Sequence, residues 1–168
     1  LLVLVLYSFN NQIRFNSKGD FNLPVGKRDY NGSSRKNIAA FNQISNEKKI
    51  AFKSCDFRDI EQMLLEKDDF VYLDPPYLLG LASYNEMGGW TEKDEKDLYS
   101  LLTRLDKKGI RFALSNVLEH KGKINKIMKE WARKYQYKVH KLDYHYRNSN
   151  YHSTAKNSKT TEVLITNY

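Results

Sequence analysis

The residues with the clearest chemical potential are Asp74-Pro75-Pro76-Tyr77, which directly follow the apolar run Phe70–Leu73. The aromatic and β-branched side chains of that run predict a short buried strand. The predicted strand ends at Asp74, because neither proline can donate to a sheet ladder. One carboxylate, two proline carbonyls and one ring then lie at the carboxyl end of a strand, where open α/β sheets bind ligands. These groups suit a planar amino group that is held by oxygens and covered by a ring.

Asp-Pro-Pro-Tyr after an apolar strand resembles the catalytic motif of the amino-group DNA methyltransferases. Further segments resemble the Dam-like, adenine-N6 group and follow the family order along nearly the whole chain: Tyr7–Asn16, Gly19–Lys27 and Thr161–Asn167. The resemblance implies methyl transfer from S-adenosyl-L-methionine to the N6 amino group of a flipped adenine in duplex DNA, in a restriction-modification, phage or host system. It also implies an α/β fold, a partial doubly wound methyltransferase (Rossmann-like) sheet with an inserted target-recognition segment.

The resemblance assigns catalysis to Asp74, Pro75, Pro76 and Tyr77. Asp74 and the Pro75 carbonyl would accept the two hydrogens of the adenine amine, and Tyr77 would stack on the base. Two alternatives stay open. One is a strand-ending turn in which Asp74 only caps the next segment. The other is that this chain methylates RNA or a glutamine side chain, as related Asn-Pro-Pro-Tyr enzymes do. The aspartate at the start of the motif and the long basic segment argue against this alternative.

A second group of candidate residues precedes the predicted catalytic strand. The run Ile50–Ser54 predicts a short strand, and Ile60, Met63 and Leu64 have helical spacing, so Asp56 is placed to cap a helix. The resemblance implies a further role for this segment, in which Asp56 and Phe57 contact the adenine ring of the methyl donor. Asp74 completes the expected donor-binding set. Capping and donor contact are compatible.

The first part of the chain is polar and basic, and it has little periodicity from Tyr7 to about Asn46. This lack of periodicity predicts a long loop. The apolar run Leu1–Leu6 that precedes it is too short to cross a bilayer and is expected to be the end of a core helix. The residue types suit contacts to base edges and phosphates, but equally a solvated basic loop. The resemblance implies DNA binding by Phe9, Asn10, Gln12, Arg14, Pro24, Lys27 and Arg28.

Composition limits the classes of function. The 168 residues carry 28 basic and 20 acidic side chains, a net charge of +8, which favours a polyanionic partner or a solvated basic surface. The single cysteine excludes an internal disulfide, and the four histidines lack metal-ligand spacing, so we expect no metal site. We expect double-stranded DNA as partner, no membrane association, and a cytoplasmic location in a bacterium or as a phage product.

The remaining pattern predicts two βα units followed by a hairpin. Thr91 and Asp94 form a predicted capping box, and Gly109 ends the helix that follows. The other predicted elements are a loop over the site at Leu78–Trp90, a strand at Ile110–Ser115, a helix with Trp131 in the core at Ile124–Tyr135, strands at 137–146 and 162–166, and a polar loop at 147–160 with Arg147, Lys156 and Lys159. Tyr84 and Trp90 are predicted either to clamp substrate or to pack on the sheet.

One family feature has no counterpart here. The family holds the methyl donor with a Phe-x-Gly-x-Gly loop ahead of its recognition segment, and none of the eight glycines forms such a sequence. We therefore expect residues 1–49 to be a target-recognition segment and residues 50–168 a partial catalytic region. The N-terminal part of the same enzyme would be the partner. An inactive DNA-binding fragment is the alternative.

Overall fold

Residues 1–16, 18–79, 89–142 and 160–168 are described by a computed structural model of the chain. They divide into two units, Leu1–Cys55 and Asp56–Tyr168. The predictions for Tyr84, Arg147, Lys156 and Lys159 lie outside the described residues.

The first unit contains helices α1 (Leu2–Tyr7) and α2 (Gly32–Glu47). The featureless loop predicted up to Asn46 is wrong over its second half, because Asn31 caps α2 by accepting a hydrogen bond from the Ser34 amide at 3.0 Å. The role predicted for α1, as the end of a core helix of a longer enzyme, stays a prediction. None of its residues is buried, since the short 3₁₀ turn Phe9–Asn11 beside it is too small to cover it.

The second unit is built on one open sheet. Its strands are β1 (Phe70–Leu73), β2 (Arg111–His120), β3 (Lys123–Ile124), β4 (Lys138–Leu142) and β5 (Thr160–Thr166). The hydrogen-bonded order is β1-β2-β5-β4, and β3 pairs with β2. β1 and β2 are parallel, whereas β5 is antiparallel to both of its neighbours. An open α/β sheet with a reversed last strand is therefore confirmed. The short strand predicted at Ile50–Ser54 is wrong, since that run pairs with none of the strands in the described residues.

Two helices cover one face of this sheet: α3 (Glu92–Lys107) and α4 (Lys126–Lys134). The core between them and the strands includes Leu98, Leu102, Leu105, Phe112, Leu114, Met128 and Trp131. Trp131 is 8% exposed and stacks on Tyr99 with ring centroids 4.3 Å apart, so its prediction as a core residue is confirmed. Full burial of each large apolar side chain contributes about 1.5–3 kcal/mol.

Helix α3 has the boundaries that the sequence predicts. Thr91 and Asp94 form a capping box at its start. At its end Gly109 has φ +75°, and the amides of Gly109 and Ile110 donate to the carbonyls of Asp106 and Leu105. This pair of bonds is a Schellman motif, which needs the left-handed conformation that glycine adopts readily.

Candidate active site

The sheet register places Asp74 at the carboxyl end of β1. β1 pairs with β2 as far as Leu73 opposite Leu114, and the chain leaves the sheet at the next residue. Pro75 and Pro76 follow at once, since neither has an amide hydrogen for the ladder. Asp74 and Pro76 are exposed, whereas Pro75 and Tyr77 are half-buried. The Asp-Pro-Pro-Tyr groups therefore face solvent at the sheet edge where doubly wound folds bind ligands.

Tyr77 is coupled to the carboxylate of this motif. Its hydroxyl donates to Asp74 Oδ1 at 3.1 Å. The bond fixes the direction of the carboxylate and holds the tyrosine ring beside it. A carboxylate has about four lone-pair sites, so most of the acceptor capacity of Asp74 is left for a ligand.

A second tyrosine links the catalytic strand to its neighbour. Tyr72 Oη lies 2.8 Å from Ser115 Oγ on β2. Because side chains alternate along a strand, Tyr72 and Asp74 belong to the same face. The bond therefore ties β1 to β2 just before the chain turns out of the sheet. The Tyr72–Ser115 pair was not predicted from the sequence, because only the strand register brings the two residues together.

Asp56 caps a turn and is held by an arginine. Its carboxylate accepts from the Arg58 amide at 2.8 Å at the start of the 3₁₀ turn Phe57–Gln62, which confirms the predicted cap but replaces the predicted helix with a 3₁₀ turn. Arg58 Nη1 lies 3.2 Å from the same carboxylate. The side chain of Asp56 is 52% exposed, so it retains room for a ligand amino group.

Arg58 also fastens this turn to α3. Its Nη2 lies 2.6 Å from Asp94 Oδ1 and 2.7 Å from Asp97 Oδ2. Hydrogen bonds from Thr91 and then from Arg58 hold the pKa of Asp94 well below its ordinary value. Lys93 and then Arg58 lower the pKa of Asp97. Since α3 leads from parallel β1 back to β2, its first turn lies toward the sheet edge where β1 ends, and Asp56 and Phe57 are held beside that turn.

Trp90 packs on Phe57 of the 3₁₀ turn, and the substrate-clamping role predicted as its alternative stays a prediction. The two ring centroids are 5.5 Å apart, and the Arg58 guanidinium lies 4.4 Å from the Phe57 centroid. Trp90 Nε1 donates to Glu95 Oε2 at 2.5 Å. One aromatic side chain thus joins the candidate donor-binding turn to α3.

Glu95 is a fully buried carboxylate that the sequence analysis missed. Besides Trp90, it accepts from the Tyr99 hydroxyl, from Asn125 Nδ2 at 2.6 Å and from Asn116 Nδ2 at 3.4 Å. All four donors are neutral. Burial, and then the charge of Glu95, raises the pKa of Tyr99 strongly, so its hydroxyl stays a donor. The available signal was an acidic residue at helical spacing before the buried Leu98 and Leu102.

The first unit brings several of the predicted DNA-binding residues together. The Phe9 amide donates to the Pro24 carbonyl at 3.0 Å. Gly26 allows this approach, because a Cβ there would lie 2.4 Å from the Ser8 carbonyl oxygen. Asn10, with φ +54°, and exposed Gln12 belong to the same turn region.

Two arginines of this unit are held by hydrogen bonds, one to the backbone and one to a side chain. Arg14 Nε donates to the Asn22 carbonyl at 3.1 Å, and Arg28 Nη1 donates to Asn11 Oδ1 at 2.8 Å. Lys27 is exposed. These bonds leave other guanidinium hydrogens for a ligand, since arginine carries five N–H donors.

The described residues contain neither a cluster of metal ligands nor a helix that could span a membrane. No group of three or more His, Cys, Asp or Glu side chains in residues 1–16, 18–79, 89–142 and 160–168 is arranged to hold a metal ion. Among the helices of those same ranges, none combines the length and apolar character that crossing a bilayer requires.

Known proteins resemble this chain throughout. Residues 1–159 match the family model of the D12 class N6 adenine-specific DNA methyltransferases. The whole chain is 38% identical to the type II methyltransferase M.FokI of Planomicrobium okeanokoites and 40% identical to the modification methylase StsI of Streptococcus sanguinis, and it spans 26% of the length of each. It is 26% identical to M1.LlaDCHI of Lactococcus lactis subsp. cremoris and spans 57% of it.

The family match bears on the predictions made from Asp74-Pro75-Pro76-Tyr77. It covers Asp74–Tyr77 and the segments Tyr7–Asn16 and Gly19–Lys27, whereas Thr161–Asn167 lies beyond the matched residues. The predicted resemblance to adenine-N6 methyltransferases is therefore confirmed, and the RNA and glutamine alternatives lose support. This chain belongs to the D12 class of N6 adenine-specific DNA methyltransferases.

Proposed function

We propose that the complete protein is a site-specific, adenine-specific DNA methyltransferase of a restriction-modification system. The observation that carries the proposal is the Asp74–Tyr77 pair at the carboxyl end of β1, in which the Tyr77 hydroxyl donates to the Asp74 carboxylate at 3.1 Å. The names of M.FokI, StsI and LlaI, which are methyltransferases or modification methylases, support this assignment. A cytoplasmic setting, where its DNA substrate lies, is part of the same proposal.

The chemistry follows from the acceptors at the strand end. The adenine N6 amine is a poor nucleophile, because its lone pair is delocalised into the ring. Asp74 and the Pro75 carbonyl accept its two hydrogens, which favours a pyramidal nitrogen whose lone pair points away from the ring. These preorganised acceptors also stabilise the positive charge that grows on nitrogen. S-adenosyl-L-methionine supplies the electrophilic methyl group when it is bound.

The substrate base has to leave the duplex to reach Asp74. Flipping costs a few kcal/mol of lost stacking and pairing. Stacking of the half-buried Tyr77 ring on the extruded adenine offsets part of that free energy, and the bond to Asp74 holds the ring next to the acceptor. Pro76 keeps the backbone between them rigid, since its ring restricts φ.

The chemistry of Asp56 and Phe57 fits the adenosyl part of the methyl donor. A half-exposed carboxylate suits an exocyclic amine as acceptor, and the Phe57 ring offers an apolar face to a purine. Arg58 and Trp90 hold the two residues against α3. We assign binding of the methyl donor to Asp56 and Phe57, and also to Asp74, which lies where the donor meets the base.

Target recognition is assigned to the segment 1–49, where Phe9, Gln12 and Pro24 lie close together. Phosphate contacts from Lys27 and Arg28 would fix the register of the protein on duplex DNA, whereas Arg14 and Asn10 have donors suited to base edges. The inserted position of this segment in the fold is part of the proposal.

A further part of the protein is proposed to complete the sheet, in cis or in trans. Within the described residues one edge of β1 has no partner strand, and Phe70 and Tyr72 are 51% and 58% exposed. An open apolar edge is a pairing site. The relatives supply a source for such a strand, since this chain spans 26% of M.FokI and StsI.

The experiment compares Asp74→Ala with Asp68→Ala, another exposed aspartate, in the complete protein. Titration calorimetry with S-adenosyl-L-methionine, duplex binding and transfer of labelled methyl groups to DNA are measured. We expect Asp74→Ala to abolish transfer while duplex affinity changes little, and Asp68→Ala to behave as wild type. Retained transfer in Asp74→Ala would refute the proposal. Duplex binding by wild-type protein without donor binding would favour the inactive DNA-binding alternative.

A further inference from the structure

The β2–β3 hairpin extends past the catalytic strand. β1 is paired with β2 only as far as Leu114, but β2 continues to His120. At about 3.3 Å per residue, this continuation carries β2 on the order of 15 to 20 Å beyond the last pair with β1. The continuation projects from the end of the sheet that bears Asp74.

The hairpin returns on the Asp74 side of β2. At Glu119 and His120, one edge of β2 is taken by Thr161 and Thr160 of β5. The same two residues also pair with Ile124 and Lys123 of β3, which must therefore use the other edge, the one that β1 occupies lower down. The hairpin tip thus lies in line with β1, beyond the point where the chain turns away at Asp74.

The tip is a tight turn that points two lysines outward. Lys121 has φ +50° and Gly122 φ +75°, as a two-residue type I′ turn requires. Lys121 and Lys123 are exposed, and so is Lys126 at the start of α4. Such a short hairpin holds its charges at a fixed place relative to the sheet.

The charge at this tip is uncompensated in the described part of the chain. None of its three lysines forms an ion pair there. Of the neighbouring titratable groups, Glu119 is half-buried, and His120 is engaged through Nδ1 with Thr160 Oγ1 at 2.8 Å. A cluster of lysines without carboxylate partners suits a ligand with closely spaced negative charges.

We propose that Lys121, Lys123 and Lys126 form a second contact with the phosphate backbone of the DNA duplex, outside the 1–49 segment. This inference rests on the proposed function. A duplex presents one negative charge per about 1.7 Å of its axis, so a duplex that delivers a base to Asp74 also presents phosphates to a tip about 15 to 20 Å away. Lysine acts as a point charge rather than a bidentate reader of bases, so the contact positions the duplex without selecting its sequence.

The test neutralises the tip in the complete protein. Lys121→Asn and Lys123→Gln are combined, because asparagine tolerates the positive φ at position 121. The matched control, Lys107→Gln with Lys138→Gln, removes the same charge from two exposed lysines that lie toward the opposite end of the strands. Affinity for a 20-base-pair duplex, about two helical turns, is measured by fluorescence anisotropy across a NaCl series, on random sequence and on the methylated site.

The tip variant should weaken binding to both duplexes equally and reduce the slope of log K against log salt by about 1 per lysine. The control should keep the wild-type slope. Equal slopes in the tip variant and wild type, or a loss on the methylated site alone, would overturn the inference. Failure of the proposed function is distinguishable, because wild-type protein would then transfer no labelled methyl group to DNA, whatever the salt dependence of its binding.

Discussion

The hydroxyl of Tyr77 lies 3.1 Å from Oδ1 of Asp74, so the two side chains that we propose act in catalysis are hydrogen-bonded to each other. In the proposed site the tyrosine ring stacks on the base, and its hydroxyl orients the acceptor. Ring and hydroxyl are separable by substitution, which makes the relationship testable.

Tyr77→Phe keeps the ring and removes the bond to Asp74. A hydrogen bond to a charged group contributes about 1.5–3 kcal/mol, so we expect kcat for methyl transfer to fall by roughly 10- to 100-fold. KM for DNA should change little, since the stacking face remains. Tyr72→Phe is the control, because it loses a tyrosine hydroxyl bonded to Ser115 instead. Equal kcat values for Tyr77→Phe and wild type would show that the hydroxyl does not orient Asp74.

Arg58→Gln should change how stability depends on pH. The pKa of Asp94 and that of Asp97 are both lowered in the folded chain from an ordinary 3.8, with Arg58 as a shared cause. Such groups stabilise the fold above their unfolded pKa, and this contribution is lost as pH falls through the folded pKa. Wild type should therefore lose urea resistance below about pH 4 more steeply than Arg58→Gln does.

Thr91 limits the size of that difference, because its hydrogen bonds are the larger cause of the lowered pKa of Asp94 and persist in the variant. Lys93→Gln is a useful comparison, since it removes the larger cause at Asp97 only. Parallel urea midpoints of wild type and Arg58→Gln from pH 3 to pH 7 would contradict the assignment.

Glu95→Gln should destabilise the second unit. Glutamine replaces one acceptor oxygen of the carboxylate with an NH₂ donor. That NH₂ group then faces another donor, from Trp90 or from Tyr99, Asn116 and Asn125, depending on which oxygen is replaced. Leaving a buried polar group unsatisfied costs about 1–3 kcal/mol. Urea unfolding followed by fluorescence measures this, since both tryptophans of the chain, Trp90 and Trp131, lie in this unit.

The control for that variant is Glu92→Gln, on the exposed face of the same helix. Glu92 pairs only loosely with Lys96, at 3.5 Å, and such surface pairs contribute about 0–1 kcal/mol. A Glu95→Gln protein as stable as Glu92→Gln would mean that the buried carboxylate is not held by its four donors.

Arg14→Ala tests the recognition segment. If Arg14 contacts a base edge, its loss should relax sequence preference by about 1–3 kcal/mol at one base pair. Sequencing of methylated adenines in DNA from cells that express the variant gives the preference directly. Uniformly weaker binding on every sequence would place Arg14 on a phosphate. Lys18→Ala, an exposed lysine of the same segment, is the control.

The sequence by itself was enough for the catalytic motif and for the local signals around it. Two prolines have to end a strand, a Thr91–Asp94 pair caps a helix and Gly109 ends it, because each effect acts within a few residues. These signals place Asp74 at a strand end without knowledge of any distant contact. They failed where local pattern is weak, as in α2, which forms in a segment of low periodicity.

Only the tertiary structure decided which distant side chains meet. Arg58 reaches Asp94 and Asp97, and Trp90 reaches Phe57 and Glu95, through contacts between separate elements. The extension of β2 past β1 likewise depends on strand register. A linear pattern does not encode these relationships, because they result from how the sheet and α3 pack together rather than from neighbouring residues.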